Sequence, residues 1–165
     1  MTNAKDRAPV TPAVRWLRAH AAQYQEHLYA YAEHGGTAAS ARELGVDEHQ
    51  VVKTLILEDD AGEPLVLLMH GDREVSTQAL ARQLGRRSIA PCRPDVAERH
   101  SGYRVGGTSP FGTRNALPVF AEASVAALPR LFINGGKRGF LVEMSGAELF
   151  RLLAPTPVEA ATAQS

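Results

Sequence analysis

Val51-Val52-Lys53-Thr54-Leu55-Ile56-Leu57, followed by Asp59-Asp60-Ala61-Gly62 and then Leu65-Val66-Leu67-Leu68-Met69-His70, is the stretch on which the fold turns. Two apolar runs flank a turn rich in Asp and Gly, which predicts a hairpin. Both runs are apolar on either face, so the first is read as a buried strand rather than a rim strand. Toward the N-terminus, Asp47 can cap one turn of helix, and Thr37–Leu44 is a short Ala-rich helix ended by Gly45. Tyr24–Tyr31 alternates and reads as a strand. Thr11-Pro12 opens a helix that runs to about Ala22, with Thr as N-cap and Pro in the first turn.

Toward the C-terminus, Ser76 caps a helix with Ala79, Leu80 and Leu84 on one face, stopped by Gly85. Short strands are expected at Arg87–Ala90, Tyr103–Val105, Leu117–Glu122, Leu131–Asn134 and Phe140–Met144. A helix is expected at Pro94–His100, and Ser145 begins a last one, Gly146–Leu153. Hairpin links outnumber strand–helix–strand units, so the expected class is α+β (mixed α/β): a mixed, largely antiparallel, curved sheet with helices packed around it. At 165 residues the chain fits one domain, 1–165, with a core of about 11–153; Met1–Pro9 and Pro155–Ser165 are expected to fray.

Composition removes several function classes. No apolar run approaches the ~20 residues of a membrane span, and Met1–Arg7 lacks the apolar centre of a signal peptide, so no membrane partner is expected and the location is read as cytoplasmic. Cys92 is the single cysteine, which excludes an intrachain disulfide, a redox pair and a thiolate zinc cluster. The six histidines are dispersed with no ligand spacing, so neither a metal nor a cofactor is expected. A serine-hydrolase elbow is missing too: the closest stretch is Gly107-Thr108-Ser109-Pro110, and proline after the serine removes an oxyanion-binding N–H.

Charge is balanced overall but not along the chain. Residues 82–114 hold seven arginines against Asp95 and Glu98, a local balance of +5, whereas residues 23–63 stand at −7. Either these are solvated faces that pair in the fold or the basic one meets a polyanion. Lys53 is one of only three lysines against fifteen arginines, and it interrupts an apolar strand. Either it snorkels to a strand end or it is held for chemistry. Two glycine-rich loops, Val105-Gly106-Gly107-Thr108-Ser109-Pro110-Phe111-Gly112 and Ile133-Asn134-Gly135-Gly136-Lys137-Arg138-Gly139, each follow an apolar strand, where backbone N–H groups can approach a ligand.

Thr11-Pro12-Ala13-Val14, His27-Leu28-Tyr29, Gln50-Val51-Val52-Lys53-Thr54-Leu55, Ser101-Gly102-Tyr103-Arg104-Val105-Gly106-Gly107-Thr108-Ser109-Pro110 and Gly135-Gly136-Lys137-Arg138-Gly139 occur in order and in register. From Thr11 to Leu153 the chain resembles the YbaK family of aminoacyl-tRNA deacylases, which includes free-standing Cys-tRNA(Pro) deacylases and prolyl-tRNA synthetase editing domains. The resemblance implies a barrel-like sheet, metal-independent trans-editing hydrolysis of mischarged aminoacyl-tRNA, the tRNA 3′ end as partner, and a prolyl-tRNA synthetase as a further one. It implies Lys53 as the essential lysine and Tyr29 as the pocket tyrosine. Gly106, Gly107, Thr108, Ser109 and Pro110 would hold the terminal adenosine, with Thr54 beside them and Asn134, Gly135, Gly136, Lys137 and Arg138 as the opposite wall. Cys on tRNA(Pro) is the best single substrate; Ala on the same tRNA, or a non-catalytic tRNA- or nucleotide-binding module, are the alternatives. Cys-specific relatives carry Leu-Asp after Lys-Arg-Gly where this chain has Phe140-Leu141, and Asn134 stands where they have Ser.

Overall fold

A computed structural model describes residues 8–162 of the chain. Thr11 begins the first helix, α1 (Pro12–Ala19): its hydroxyl accepts the Val14 N–H at 3.1 Å, and it donates to the Gly135 carbonyl, so one residue both caps the helix and ties it to a distant strand. After β1 (Gln25–Leu28), α2 (Gly36–Leu44) ends at Gly45 with φ +68, a left-handed stop that glycine adopts without strain. Asp47 caps the one-turn helix Glu48–Gln50 before β2 (Val51–Asp59). The hairpin follows as expected, with β3 (Pro64–His70) antiparallel to β2 in register Val52↔His70 to Glu58↔Pro64. Ser76 caps α3 (Thr77–Leu84) through the Ala79 N–H at 3.1 Å. The chain continues through β4 (Ile89–Pro91), α4 (Pro94–Ser101), β5 (Val119–Glu122), β6 (Leu131–Lys137), β7 (Phe140–Met144), α5 (Gly146–Leu153) and β8 (Thr156–Val158).

The strands form one mixed sheet in the order β1-β7-β6-β2-β3-β5-β8, with β4 paired to β2 beside this path. Four pairings are antiparallel, and three are parallel: β2 with β6, β3 with β5, and β5 with β8. The mixed α/β class stands. The parallel joints connect segments far apart in sequence, and turn chemistry, which reads only local hairpins, could not reveal them.

Other boundaries shift for identifiable reasons. Tyr103–Val105 is not a strand: the Tyr103 N–H donates to the Ser101 hydroxyl at 3.1 Å and its own hydroxyl donates to the Phe111 carbonyl, which fastens the segment as a loop anchored by the buried Tyr103. The expected fraying of 155–165 does not hold for the described part. β8 adds to β5, Val158 and Ala160 are buried, and the Glu122 carboxylate accepts the N–H groups of Ala160 and Ala161 at 2.7 and 3.1 Å. Met1–Arg7 and residues 163–165 lie outside the described residues.

Apolar burial, the main stabilising term, falls into three clusters around β2 and β3. On one face Val52, Ile56, Val66 and Leu68 meet Val14 and Leu17 of α1 and Leu149 of α5. On the other, Leu57, Leu65, Leu67 and Met69 pack under Leu80 of α3, while Val51 joins Phe132, Leu141 and Ala41 of α2. Strand alternation places Lys53 on this second face, between Val51 and Leu55, where the α2 cluster and the α3 cluster part.

Candidate active site

The sheet has a gap. β3 pairs β2 along Val52–Glu58, but on the opposite side β6 reaches only Val51 and Val52, and β4 only Leu57–Asp59. Residues 53–56 therefore have no strand beside them on that side. Alternation fixes which groups face the gap. Gly71 donates to the Val51 carbonyl at 2.7 Å, so odd-numbered β2 residues turn their polar groups toward β3, whereas the Ile56 carbonyl accepts from Cys92 on the far side at 3.1 Å. By the same parity the N–H and C=O of Thr54 point into the gap. Its Oγ1 is buried and has no hydrogen-bond partner among the described residues.

A cleft of about 540 Å³ opens at this gap. Its floor is residues 51–56 of β2, and its rim comes from the chain after β1, the start of α2, the 105–108 loop and the bulge of β6. Lys53 is half-buried there with no carboxylate within 4.0 Å among the described residues. Tyr29, also half-buried, is anchored by its N–H to the Gly139 carbonyl at 2.9 Å. Burial pushes its hydroxyl above the ordinary tyrosine value, so near neutral pH it is a neutral phenol. Leu141, 4% exposed, forms an apolar wall with Val51 and Phe132.

Asn134 joins the two glycine loops. Its Nδ2 donates to the Gly106 carbonyl at 3.1 Å, and its Oδ1 accepts the N–H groups of Gly136 and Lys137 at 2.7 and 3.2 Å. Arg138 makes a second tie, from Nε to the Val105 carbonyl at 2.8 Å, and its guanidinium lies 5.2 Å from the Tyr31 ring centroid.

Of the residues singled out from sequence, the fold brings Tyr29, Lys53, Thr54, Gly106, Thr108, Asn134 and Arg138 to the cleft. Six others do not line it. Ser109 is fully buried, its hydroxyl accepting the Phe111 N–H at 3.2 Å, and Pro110 is buried beside it. Gly107 is packed between the loops: a Cβ there would come within 2.9 Å of the Arg138 nitrogen. A Cβ on Gly135 would meet the Phe140 ring at 2.5 Å, Gly136 (φ +101) sits against Tyr103 and Thr11, and Lys137 is exposed outside the cleft. These glycines permit close contact of one protein segment with another. Sequence reading missed Tyr31, His34 and Ser40, which also line the cleft. The two-residue spacing of Tyr29 and Tyr31 was the available signal for the first.

A family model described as aminoacyl-tRNA editing domain matches residues 33–152. The chain belongs to the aminoacyl-tRNA editing domain family. This is the group whose motifs the sequence resembles, and the matched span of the editing domain takes in Lys53, both glycine loops and α2 through α5. Among curated relatives, the Enterococcus faecalis protein EbsC, provisionally named a Cys-tRNA(Pro)/Cys-tRNA(Cys) deacylase, is 26% identical over 143 residues, 86% of this chain and 87% of that protein. A proline–tRNA ligase of Nitratidesulfovibrio vulgaris is 37% identical over 82 residues, half of this chain but 14% of the ligase. Two crystal structures share the fold of this editing domain. One, of a hypothetical protein, has a TM-score of 0.84 at 22% identity and covers 92% of this chain and 99% of that one. The other, of a protein provisionally described as a trans-editing enzyme for prolyl tRNA synthetase, has a TM-score of 0.81 at 18% identity and covers 96% of this chain and all of that one.

Proposed function

We propose that this protein removes a wrongly attached amino acid from tRNA by hydrolysing the aminoacyl ester in trans, with Cys-tRNA(Pro) as the preferred substrate. The observation that carries the reading is the cleft at the β2 gap in a chain of the editing family: among the described residues, Lys53 has no carboxylate partner and the buried Thr54 Oγ1 has no hydrogen-bond partner, and both residues line this half-buried site. An aminoacyl ester is already activated, so orientation and stabilisation of the developing oxyanion supply most of what hydrolysis needs. Attack on the ester carbonyl by water gives a tetrahedral oxyanion. Its collapse expels the ribose oxygen, which takes a proton, and frees the amino acid. With a cysteinyl ester the substrate's own thiolate can attack instead and leave as a thiolactone. In either route Lys53 faces the negative charge, Tyr29 bounds the amino-acid pocket as a neutral phenol, and Thr54, Gly106, Thr108, Asn134 and Arg138 hold the terminal nucleoside.

Leu141 favours a second reading of the substrate. It makes the wall apolar and contributes no base, which suits alanine as well as cysteine. A synthetase pocket rejects such small side chains by only ~10–200-fold, the circumstance in which a second sieve is useful. The chain acts as one domain, in the cytoplasm, where charged tRNA is made, and a prolyl-tRNA synthetase is the source of its substrate. Initial rates with Cys-, Ala-, Ser- and Pro-charged tRNA(Pro) test this. The expected order places Cys first and Ser far behind, because a hydroxyl is much less ionised than a thiol. Equal Ala and Cys rates would replace thiol attack by water attack, and no turnover of any of the four would discard the deacylase reading.

A further inference from the structure

Of the seven arginines between residues 82 and 114, the fold lays Arg114 across Gly102, the glycine that separates Arg99 from Arg104 in the chain. Gly102 (φ +80) ends α4. The Arg114 N–H donates to the Ser101 carbonyl at 3.0 Å, and a Cβ at Gly102 would come within 3.2 Å of the Arg114 Cβ and 3.6 Å of its Nε, so that side chain lies across the glycine. Arg99 belongs to the last turn of α4, and Arg104 follows two residues after Gly102, its carbonyl taking the Gly107 N–H at 2.8 Å. All three are exposed, and none has a carboxylate within 4.0 Å among the described residues. The acid beside them, Glu98, is occupied by the Val105 N–H at 3.2 Å. Arg86 and Arg93, by contrast, are paired with Asp59 and Asp95.

This cluster continues into the cleft. Val105, next to Arg104, accepts from Arg138, and Arg138 lies over Tyr31. Tyr31 and Val105 are exposed at 37% and 43%, which leaves an aromatic face and an apolar side chain at the cleft mouth beside a guanidinium. One cation at the C-terminal end of a helix is explained by the helix dipole. Three exposed cations beside a single carboxylate leave a local excess of positive charge, and a chain of regularly spaced anions relieves the repulsion among them. An exposed aromatic ring beside a guanidinium also suits an unpaired nucleobase. The other rim carries Glu33 and His34, so the positive charge is one-sided.

We propose that Arg99, Arg104 and Arg114 form a phosphate track that grips the backbone at the 3′ end of an RNA and leads its terminal nucleotide past Arg138 and Tyr31 into the cleft. The proposal rests on the cleft being the aminoacyl-ester site. Phosphate contacts carry no base information, so the track holds RNA irrespective of sequence and leaves amino-acid choice to the cleft.

The test is binding of an uncharged RNA hairpin with an unpaired 3′ tail, followed by fluorescence anisotropy across a salt series. The proteins compared are wild type, the R99Q/R104Q/R114Q variant, and an R82Q/R87Q control that removes charge elsewhere. The triple variant is expected to bind at least ~10-fold more weakly near 50 mM salt, with the slope of log Kd against log salt reduced by about 2–3, roughly 0.7–0.9 for each lost contact. Hydrolysis of 3′-O-aminoacyl adenosine, which has no phosphodiester, should stay within ~2-fold. Were the triple variant not to fold, each single variant should lower the slope by about one contact. Unchanged affinity and slope in a folded triple variant overturn the track, as does an equal loss in the control or an equal loss of adenosine-ester hydrolysis. A wild type that binds the hairpin through these arginines yet hydrolyses neither the adenosine ester nor charged tRNA upholds the track and removes the deacylase reading instead.

Discussion

Lys53 shares its strand face with Val51, Leu55 and Leu57, so in a protein that only needed a core this position would be apolar. A half-buried ammonium with no carboxylate beside it costs stability and is tolerated where it meets an anion during function. Lys53→Ala should therefore lower deacylation by at least ~10²-fold, the size of losing one oriented electrostatic contact, while its thermal midpoint stays equal to wild type or rises. Lys53→Arg should also be poor, because a planar guanidinium is larger and aims its donors differently. Near-normal turnover by a folded Lys53→Ala protein would remove the lysine from the mechanism. The lysine was legible in the sequence because it breaks an apolar run. Tyr31 offered only its two-residue spacing from Tyr29, since nothing in Tyr24–Tyr31 says that pairing stops at Leu28 and leaves both following tyrosines over the cleft.

At the scale of elements, the two glycine loops are packed on each other, and this changes what a glycine substitution reports. A Cβ on Gly107 would come within 2.9 Å of the Arg138 nitrogen and 3.0 Å of the Lys137 carbonyl carbon, both backbone atoms that cannot swing aside. Gly107→Val should separate the loops, break the Asn134 and Arg138 ties, and cost about 1–3 kcal/mol in urea denaturation as well as activity. Loss of activity at unchanged stability would instead place the residue against the substrate, as the sequence alone led one to expect. The glycines announced tight geometry, but a one-dimensional pattern does not say whether the close neighbour is a ligand or another loop. The hairpin β2–β3 and the caps of α1, α3 and α5 were legible because the signals lie within a few residues of the structure they specify.

Across the whole molecule, His70 at 1% exposure fastens three segments. Its Nδ1–H donates to the His49 carbonyl at 2.9 Å, its Nε2 accepts from the Ser124 hydroxyl at 2.7 Å, and its ring stacks on His49 at 3.8 Å. Burial holds its pKa below the ordinary 6.5, so between that lowered value and 6.5 the unfolded chain binds the proton more readily than the native one. Stability is then full above about pH 6.5 and falls as pH drops through this window, by up to about 1.4 kcal/mol per pH unit. Urea midpoints at pH 7.5 and 5.5 should differ for wild type and differ less for His70→Gln; equal wild-type midpoints would show that the imidazole charges without penalty. The sequence by itself determined the class, most element identities and the residues that carry the family resemblance, because caps, turns and apolar periodicity act over a few residues. Only the tertiary structure decided that β2 has no strand on one side at residues 53–56, that residues 155–162 close the sheet's edge through Glu122, and that Arg114 lies across Gly102. Those features depend on parallel pairings and loop contacts between segments distant in the chain, whose free energy comes from burying surfaces against each other rather than from any local preference.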